Sequence, residues 1–530
     1  MIVWAVTLIC IVFGVFVLQQ RRKRRAAYPE SFNTKTRTQS RHNVSAAPDV
    51  FSEETEVLVV GAGILGSAAA ATLARDGRQV KVIERDLSEP NRIVGELLQP
   101  GGFGALRKLG LEDAVIGIDA HTVQGYAIHD NDTRESVVLS YPTNEASQKL
   151  QTGRSFHHGR FVMGLREEAR KSKVSLIEGT AISLLENKQG HTVGVLYKEK
   201  ETGHVKAIKA DLTIVADGCF SKFRKGLVNA SVEVPSHFAG LILTGCPQFK
   251  TGFAEIALPV GSSGPILVYQ ISSTCTRVLV DIRGKMPSDC EAVHGGHSRT
   301  RTPRITRYNI EWHGVLQDMA PLTRLATEHI RGPFLKALVT QQIRSMPNSF
   351  LPPAPIHLPG MILLGDAMNM RHPLTGAGMS VALHDILIWR DLLRGVPDLR
   401  DHSAILSCSR KFQRQRKMYH SFVVNVLAQA LYALFSASDE YLRQLRRACF
   451  GYFQLGGMAV SGPVGLLSVL RPNPLILIGH FFAVALYAMY QIVTTSSCAV
   501  HRAVFKAAMV LVRACSVIFP LIGSELISFL

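Results

Sequence analysis

The chain has 530 residues, 47% of them hydrophobic, and a formal net charge of +18; its pI is near 9.6 and its mean hydropathy of +0.14 is high for a soluble enzyme. That length allows two to four structural units, and no nucleic-acid motif accompanies the charge, so an anionic membrane face or an acidic partner is expected instead of nucleic acid. The nine cysteines are scattered without a C-x-x-C pair, which argues against a disulfide framework and a zinc site and fits a reducing compartment.

Met1–Leu18 is uncharged and rich in Ile, Val, Phe and Leu, and Arg21, Arg22, Lys23, Arg24 and Arg25 follow at once. A cleaved signal peptide carries its charges ahead of the apolar stretch. Here they come after it, so residues 1–25 read as a signal anchor whose basic stop stays cytosolic. About 18 helical residues reach about 27 Å, enough for a thin bilayer; a helix lying on the membrane surface is the alternative. Residues 26–52 are polar, lack apolar periodicity and read as a disordered tether.

Residues 53–235 open a nucleotide-binding unit. Glu56–Val60 is a β-branched run followed directly by Gly61-Ala-Gly63-Ile-Leu-Gly66; Ser67–Arg75 reads as a helix and Gln79–Ile83 as a second strand ending in Glu84. Gly61 suits a tight turn, Gly63 a close approach of pyrophosphate, and Gly66 close packing of helix on sheet. The helix start turns unpaired amides around Ile64 and Leu65 toward phosphates, and Glu84 is placed to accept from a ribose hydroxyl. A lone glycine motif is weak, but strand, glycines, helix, strand and acid in register are strong. His157 and His158 invite a metal, yet neighbours on a strand face opposite ways and do not readily chelate one ion; structural roles are expected.

Leu212–Ala216 reads as a buried strand ending in Asp217-Gly218. Phe238–Thr244, Ile266–Ile271 and Arg277–Ile282 suit a mainly β substrate domain, residues 236–350, with a ligand pocket between it and the first domain. Residues 351–400 return to the nucleotide-binding domain: Met361–Leu364 is a strand ending in Gly365-Asp366-Ala367, and a helix is expected from near Gly376-Ala-Gly378-Met379, after Pro373. Taken alone, Asp366 reads as a cap or turn residue. Residues 401–530 are expected to be helical and membrane-associated. Pro474–Val493 and Phe505–Ile522 are apolar runs interrupted or flanked by His480, Lys506 and Arg513, with Pro463, Pro472, Pro474 and Pro520 as breakers. Such runs dip into one leaflet as readily as they cross; a monotopic cap is preferred.

The segments ending in Asp217-Gly218 and Gly365-Asp366-Ala367 resemble elements of the aromatic-hydroxylase superfamily of flavoproteins. That resemblance implies FAD, with Gly365-Asp366 beside its ribityl chain and pyrophosphate and the next helix directed at the flavin ring. The fold class is accordingly α/β: a Rossmann-type FAD-binding domain with an interleaved β-sheet substrate domain, a C-terminal helical membrane domain and the N-terminal signal anchor.

Longer stretches are more specific. Arg92-Ile-Val-Gly-Glu-Leu-Leu-Gln-Pro-Gly-Gly102, Gly153-Arg-Ser-Phe-His-His-Gly-Arg-Phe161 and Asp217-Gly-Cys-Phe-Ser-Lys-Phe-Arg224 resemble the squalene monooxygenase family. So do Arg344-Ser-Met-Pro-Asn-Ser-Phe350, Gly365-Asp-Ala-Met-Asn-Met-Arg-His-Pro-Leu-Thr-Gly376 and Gly462-Pro-Val-Gly-Leu-Leu-Ser-Val-Leu470, so that the likeness runs from about Glu56 to the C-terminus. The resemblance implies that Glu84 and Arg85 hold the adenosine end of FAD, that Arg92 and Arg166 contact the cofactor, and that Leu97, Ala181, Asp366 and Met379 line its site. Tyr126 matches the family's active-site tyrosine and Gln99 the glutamine that hydrogen-bonds it. The implied reaction is epoxidation of squalene by oxygen to (S)-2,3-epoxysqualene, in sterol biosynthesis, with a flavin hydroperoxide as oxygen donor and neither nucleophile nor metal. NADPH would be the ultimate electron source, delivered by a microsomal NADPH-dependent diflavin reductase, at the endoplasmic reticulum membrane with the catalytic body in the cytosol.

Two departures stand out. His294–Tyr308 looks like a basic loop insertion, and Met368 and Ala377 fall where relatives carry an aromatic and a glycine. An isoprenoid-chain reductase or aromatic hydroxylase of the same superfamily, or a non-catalytic membrane flavoprotein, are the competing readings; product analysis with squalene separates the enzymes.

Overall fold

The computed structural model describes residues 41–43, 53–225, 227–228, 230–246, 252–258, 264–284, 328–341, 343–353, 356–495 and 499–527. The expected anchor, most of the tether, Asn229 and the His294–Tyr308 stretch lie outside the described residues.

Two sheets build the catalytic body. In the first, five stretches run parallel side by side: Ser175–Glu178, Val80–Glu84, Glu53–Val60, Val205–Val215 and Met361–Leu363. Val57–Val60 is buried on both faces, as the continuous apolar run of a parallel strand requires. The helix Ile64–Arg75 packs the small residues Ala68–Ala71 into the same core, which lets its axis lie close to the sheet. Helices His158–Lys171 and Gly378–Arg394 add Phe161, Leu165, Leu383 and Trp389 to it. Ser175–Glu186 is long enough to leave this layer and pair antiparallel with Thr192–Glu199, which in turn pairs with the start of Val205–Val215. Arg41–Asn43 adds a parallel edge to Leu184–Glu186, so three residues of the expected tether are held by backbone pairing.

The second sheet has the order Arg344–Phe350, Glu233–Thr244, Cys275–Arg283, Ile266–Gln270, Phe253–Leu258, Gly125–Asp130, Glu135–Ser140. Its last two strands correct the expected division of the chain: they come from inside 53–235 and belong to the substrate sheet. Gly125–Asp130 lies parallel to Phe253–Leu258, a pairing across more than a hundred residues that chain order does not reveal. His157 and His158 also sit differently from the expectation, as N-cap and first residue of His158–Lys171 and not on a strand.

The C-terminal part is helical: His402–Arg416, a π-turn at Lys417–Ser421, Phe422–Ser436, Glu440–Gln454, Met458–Leu467, Pro474–Thr495 and Val500–Ile527. Three stretches among the described residues, His402–Ser436, Pro474–Thr495 and Val500–Glu525, are long and apolar enough to cross a membrane. Pro463 and Pro520 do not end their helices but lie inside them, as happens where neighbouring helices hold the bundle together. Pro474 opens its helix, where a missing N–H costs nothing. The polar residues that interrupt the apolar runs find partners: His480 Nδ1 meets Tyr452 Oη at 2.8 Å, Lys506 pairs with Glu440 at 3.2 Å and Arg513 with Asp439 at 2.9 Å.

Candidate active site

A cavity of about 720 Å³ lies between the C-terminal ends of the parallel strands and the substrate sheet, the place where open α/β sheets bind ligands. Gly61, Gly63, Ile64, Leu65, Glu84, Arg85, Arg92, Leu97, Arg166, Ala181, Asp366 and Met379 all line it. Gly66 does not. A Cβ there would fall 1.8 Å from the Gly61 carbonyl oxygen, so its glycine serves the close contact of helix and turn. Gly61 has φ +104°, and a Cβ on it would meet Ala216 O at 2.6 Å.

The residues present fit a flavin dinucleotide. Side chains added at Gly63, Gly218 or Gly378 would meet nothing within 4 Å, leaving three stretches of bare backbone along the cavity. Helices Ile64–Arg75 and Gly378–Arg394 start there without a side-chain cap, so their first-turn amides and positive dipole ends are available to phosphate or ring oxygens. Asp217 Oδ1 is buried without a partner. Ala62 N donates to Glu84 Oε2 at 2.7 Å and Asp86 N to Oε1 at 3.3 Å, which fixes this carboxylate at the cavity edge.

Asp366 is exposed in the open cavity; the protein walls crowded around it still push its carboxyl above the ordinary range, with Arg371, Arg92 and Arg224 opposing. Arg224, which the motif reading left without a role, donates to the carbonyls of Asp366 at 3.0 Å and Cys219 at 2.7 Å and ties the two Asp-bearing loops together. Arg166 donates to the carbonyls of Ala62, Ser88 and Asp86 at 2.9, 3.0 and 3.2 Å. In this structure its guanidinium braces the loop after Glu84. Ala377 is buried with φ −88°, a conformation open to any residue, so the alanine at this departure imposes no strain. Met368 is buried, and its Sδ accepts from Gln413 Nε2 at 3.6 Å.

Tyr126 and Gln99 meet as the family pattern implied. Tyr126 stands in the substrate sheet, 2% exposed, and Gln99, 0% exposed, caps the helix Pro100–Lys108 from the other side. Gln99 Nε2 donates to the Tyr126 hydroxyl and, at 2.8 Å, to Thr375 O; Tyr141 Oη donates to Gln99 Oε1 at 2.8 Å. The two phenols pack edge to face at 5.6 Å, which closes a ring of three side chains. Burial pushes the Tyr126 phenol up to about 12, so it is neutral at physiological pH. Tyr126 lines the cavity, whereas Gln99 stands behind it. Tyr141 was missed from sequence; hairpin parity could have found it, since Tyr126 faces Leu139 across the strands and Tyr141 lies two residues on, on the same face.

Comparison with known proteins agrees with this construction. The FAD binding domain profile matches residues 54–245 and the squalene epoxidase profile matches residues 209–505. Squalene monooxygenase of Mus musculus is 51% identical over 478 residues, covering 90% of this chain and 79% of that protein. The chain belongs to the squalene epoxidase family. Other squalene epoxidase relatives are as extensive: squalene epoxidase 3 of Arabidopsis thaliana is 42% identical over 522 residues, covering 98% of this chain and 92% of the relative. Squalene epoxidase erg1 of Schizosaccharomyces pombe is 41% identical over 482 residues, covering 90% and 100%. Among solved structures, PqsL of Pseudomonas aeruginosa, described as a probable FAD-dependent monooxygenase, superposes with a TM-score of 0.54 at 20% identity over 73% of this chain and 97% of its own. The flavin-dependent brominase Bmp2 gives 0.59 at 15% identity over 83% and 100%. At that distance the likeness is one of fold.

Proposed function

We propose that this epoxidase-family chain converts squalene and oxygen to (S)-2,3-epoxysqualene in sterol biosynthesis, at the endoplasmic reticulum membrane with its catalytic body in the cytosol. The observation that carries the reading is one continuous cavity, with a dinucleotide cradle at one part and an apolar wall bearing Tyr126 at another, in a chain half identical to a squalene monooxygenase along 90% of its length.

Bound and reduced, FAD supplies two electrons and activates oxygen, so that one oxygen atom reaches an alkene and the other leaves as water. The chain's residues do the rest by holding and excluding. Gly63, Ile64, Leu65 and Glu84 hold the dinucleotide end, and Asp366 with the Gly378–Arg394 helix start holds the flavin end. Phe238, Ile256, Leu267, Leu279 and Leu374 present hydrocarbon to the cavity, which takes an apolar chain and keeps water away. Gln99 Nε2 donates to the Tyr126 hydroxyl and to Thr375 O, and Tyr141 Oη donates to Gln99 Oε1. The ring therefore shapes the wall against which a double bond lies.

Electrons come from NADPH through a microsomal diflavin reductase. Among the described residues one strand–glycine–helix dinucleotide unit is present, and it lies within the stretch that matches the FAD binding domain profile. The net charge of +18 steers an acidic reductase toward the cytosolic face, by encounters that salt weakens. The test is an anaerobic-to-aerobic assay of detergent-purified protein with squalene, NADPH and reductase, with products read by mass. One added oxygen, fast flavin reduction only with reductase, and loss of that acceleration at high salt are expected. Squalene recovered unchanged or reduced, or stoichiometric reduction by NADPH alone at the turnover rate, would refute it.

A further inference from the structure

The cavity wall contains a buried ion pair that the reaction as described does not use. Glu96 is 1% exposed and Arg277 4%. Arg277 Nε donates to Glu96 Oε2 at 2.8 Å and Arg277 Nη2 to Oε1 at 2.7 Å, while Tyr269 Oη donates to Oε2 at 3.2 Å. Tyr269 and Arg277 stand directly opposite one another on neighbouring strands of the substrate sheet, so one face of that sheet grips a single carboxylate from the other domain. Glu96 and Tyr269 both line the cavity.

Burial outweighs the pull of Arg277 and Tyr269 and leaves the Glu96 carboxyl raised overall, whereas at Arg277 the carboxylate outweighs burial and leaves the guanidinium raised; the geometry decides between these opposing directions. The two-point geometry, with a donor on each oxygen, is that of an ionised pair. Neither stability nor substrate affinity accounts for it. A buried ion pair roughly breaks even against an apolar replacement of the same volume, and a hydrocarbon gains nothing from a charge.

What the pair does supply is direction, since a bidentate guanidinium holds its partner in one orientation. Glu96 begins the segment that carries Leu97 into the cavity wall and Gln99 to Tyr126. Glu96 O also accepts from Phe156 N at 2.9 Å, and Leu97–Leu98 pairs with Arg154–Ser155, so the segment is short and stiff. Gln99 follows Glu96 by three residues on this same segment.

We propose that Glu96 and Arg277, with Tyr269, form a positioning clamp that sets the substrate sheet against the Gln99–Tyr126 wall and thereby selects which double bond of a polyene is presented for oxygen transfer. The proposal rests on the epoxidase reading and deepens it. None of the three is a catalytic residue, because none needs to touch the reacting atoms.

The test replaces the pair by hydrocarbon of similar volume, Glu96→Leu with Arg277→Met, beside the single variants Arg277→Lys and Tyr269→Phe. FAD occupancy, melting temperature, epoxide and hydrogen peroxide formed per oxygen consumed, and the position of the epoxide are measured with squalene. The expected result for the double variant is FAD content and melting temperature near wild type. Its yield of terminal epoxide per oxygen should be at least about fivefold lower, the balance appearing as hydrogen peroxide or internal epoxides. The peroxide arm balances: two electrons and two protons reduce one oxygen molecule and no carbon is oxidised. Arg277→Lys, which keeps the charge but loses the second contact, should fall between wild type and the double variant, and it decides the matter if the double variant does not fold. Wild-type coupling and regiochemistry in the folded double variant, or in Arg277→Lys, overturns the proposal. So does a coupling loss that merely tracks FAD loss. Absence of epoxide from the wild-type enzyme would instead sink the epoxidase reading itself.

Discussion

Tyr126→Phe removes one oxygen from the three-membered ring and leaves the rest of the wall in place. Tyr126 is 2% exposed and Gln99 0%, so water does not readily replace the lost group. Gln99 Nε2 keeps its bond to Thr375 O at 2.8 Å, and Tyr141 keeps its bond to Gln99 Oε1. The cost is therefore one unsatisfied amide proton and one weakened phenol contact, about 1–3 kcal/mol. If that energy holds the wall in its reactive arrangement, turnover falls between about fivefold and about a hundredfold. FAD should stay bound, because the hydroxyl is hydrogen-bonded to Gln99 and not to the cradle. Flavin occupancy by absorbance, and epoxide formed with saturating squalene, reductase and NADPH, give the two numbers. Tyr141→Phe and the double variant complete a cycle whose coupling should be about 0.5–3 kcal/mol if the ring acts as a unit. Unchanged turnover in Tyr126→Phe, strict additivity with Tyr141→Phe, or FAD loss in proportion to activity would each refute this account.

Three further outcomes are expected. Asp366→Ala, which removes the carboxyl facing the cavity beside Arg371, Arg92 and Arg224, should leave purified protein with little flavin, and full yellow colour at wild-type affinity would remove Asp366 from the cradle. Burial holds the His158 imidazole down at about 4 against a usual 6.5, with its Nδ1 on Gly95 O. The unfolded chain then binds this proton more tightly than the folded one, so stability is complete above about pH 6.5 and declines as pH falls toward 4, by at most about 3 kcal/mol. His158→Gln should flatten the fall in melting temperature between pH 7 and pH 5, and an identical slope in both proteins counts against it. Asn43, Asn131 and Asn229 each begin an N-x-S/T sequon, yet a cytosolic body leaves all three unmodified; the Asn131 amide is buried in any case, and glycan on Asn229 in cells would reverse the orientation.

Short-range pattern made much of this molecule legible. Gly61, Gly63, Gly66, Glu84 and the Gly365-Asp366 turn could be read because strand, turn and helix start are neighbours in the chain, and backbone sterics tie each glycine to its place. The apolar C-terminal runs were legible for the same reason, although Pro463 and Pro520 show that a local breaker yields to packing by neighbouring helices. Long stretches shared with the squalene monooxygenase family also paired Gln99 with Tyr126 before any geometry was known. What the tertiary structure decided lies across long loops. Only strand pairing moves Gly125–Asp130 and Glu135–Ser140 into the substrate sheet, seats Tyr141 beside Tyr126, and brings Arg277 to Glu96, 181 residues away. A buried charge carries no local signature, because its partner is fixed by sheet register, and register is set by the whole apolar face. The sequence by itself thus determined the dinucleotide-binding motif and the family; the tertiary fold alone brought Tyr141 to Gln99 and Tyr269 and Arg277 to Glu96.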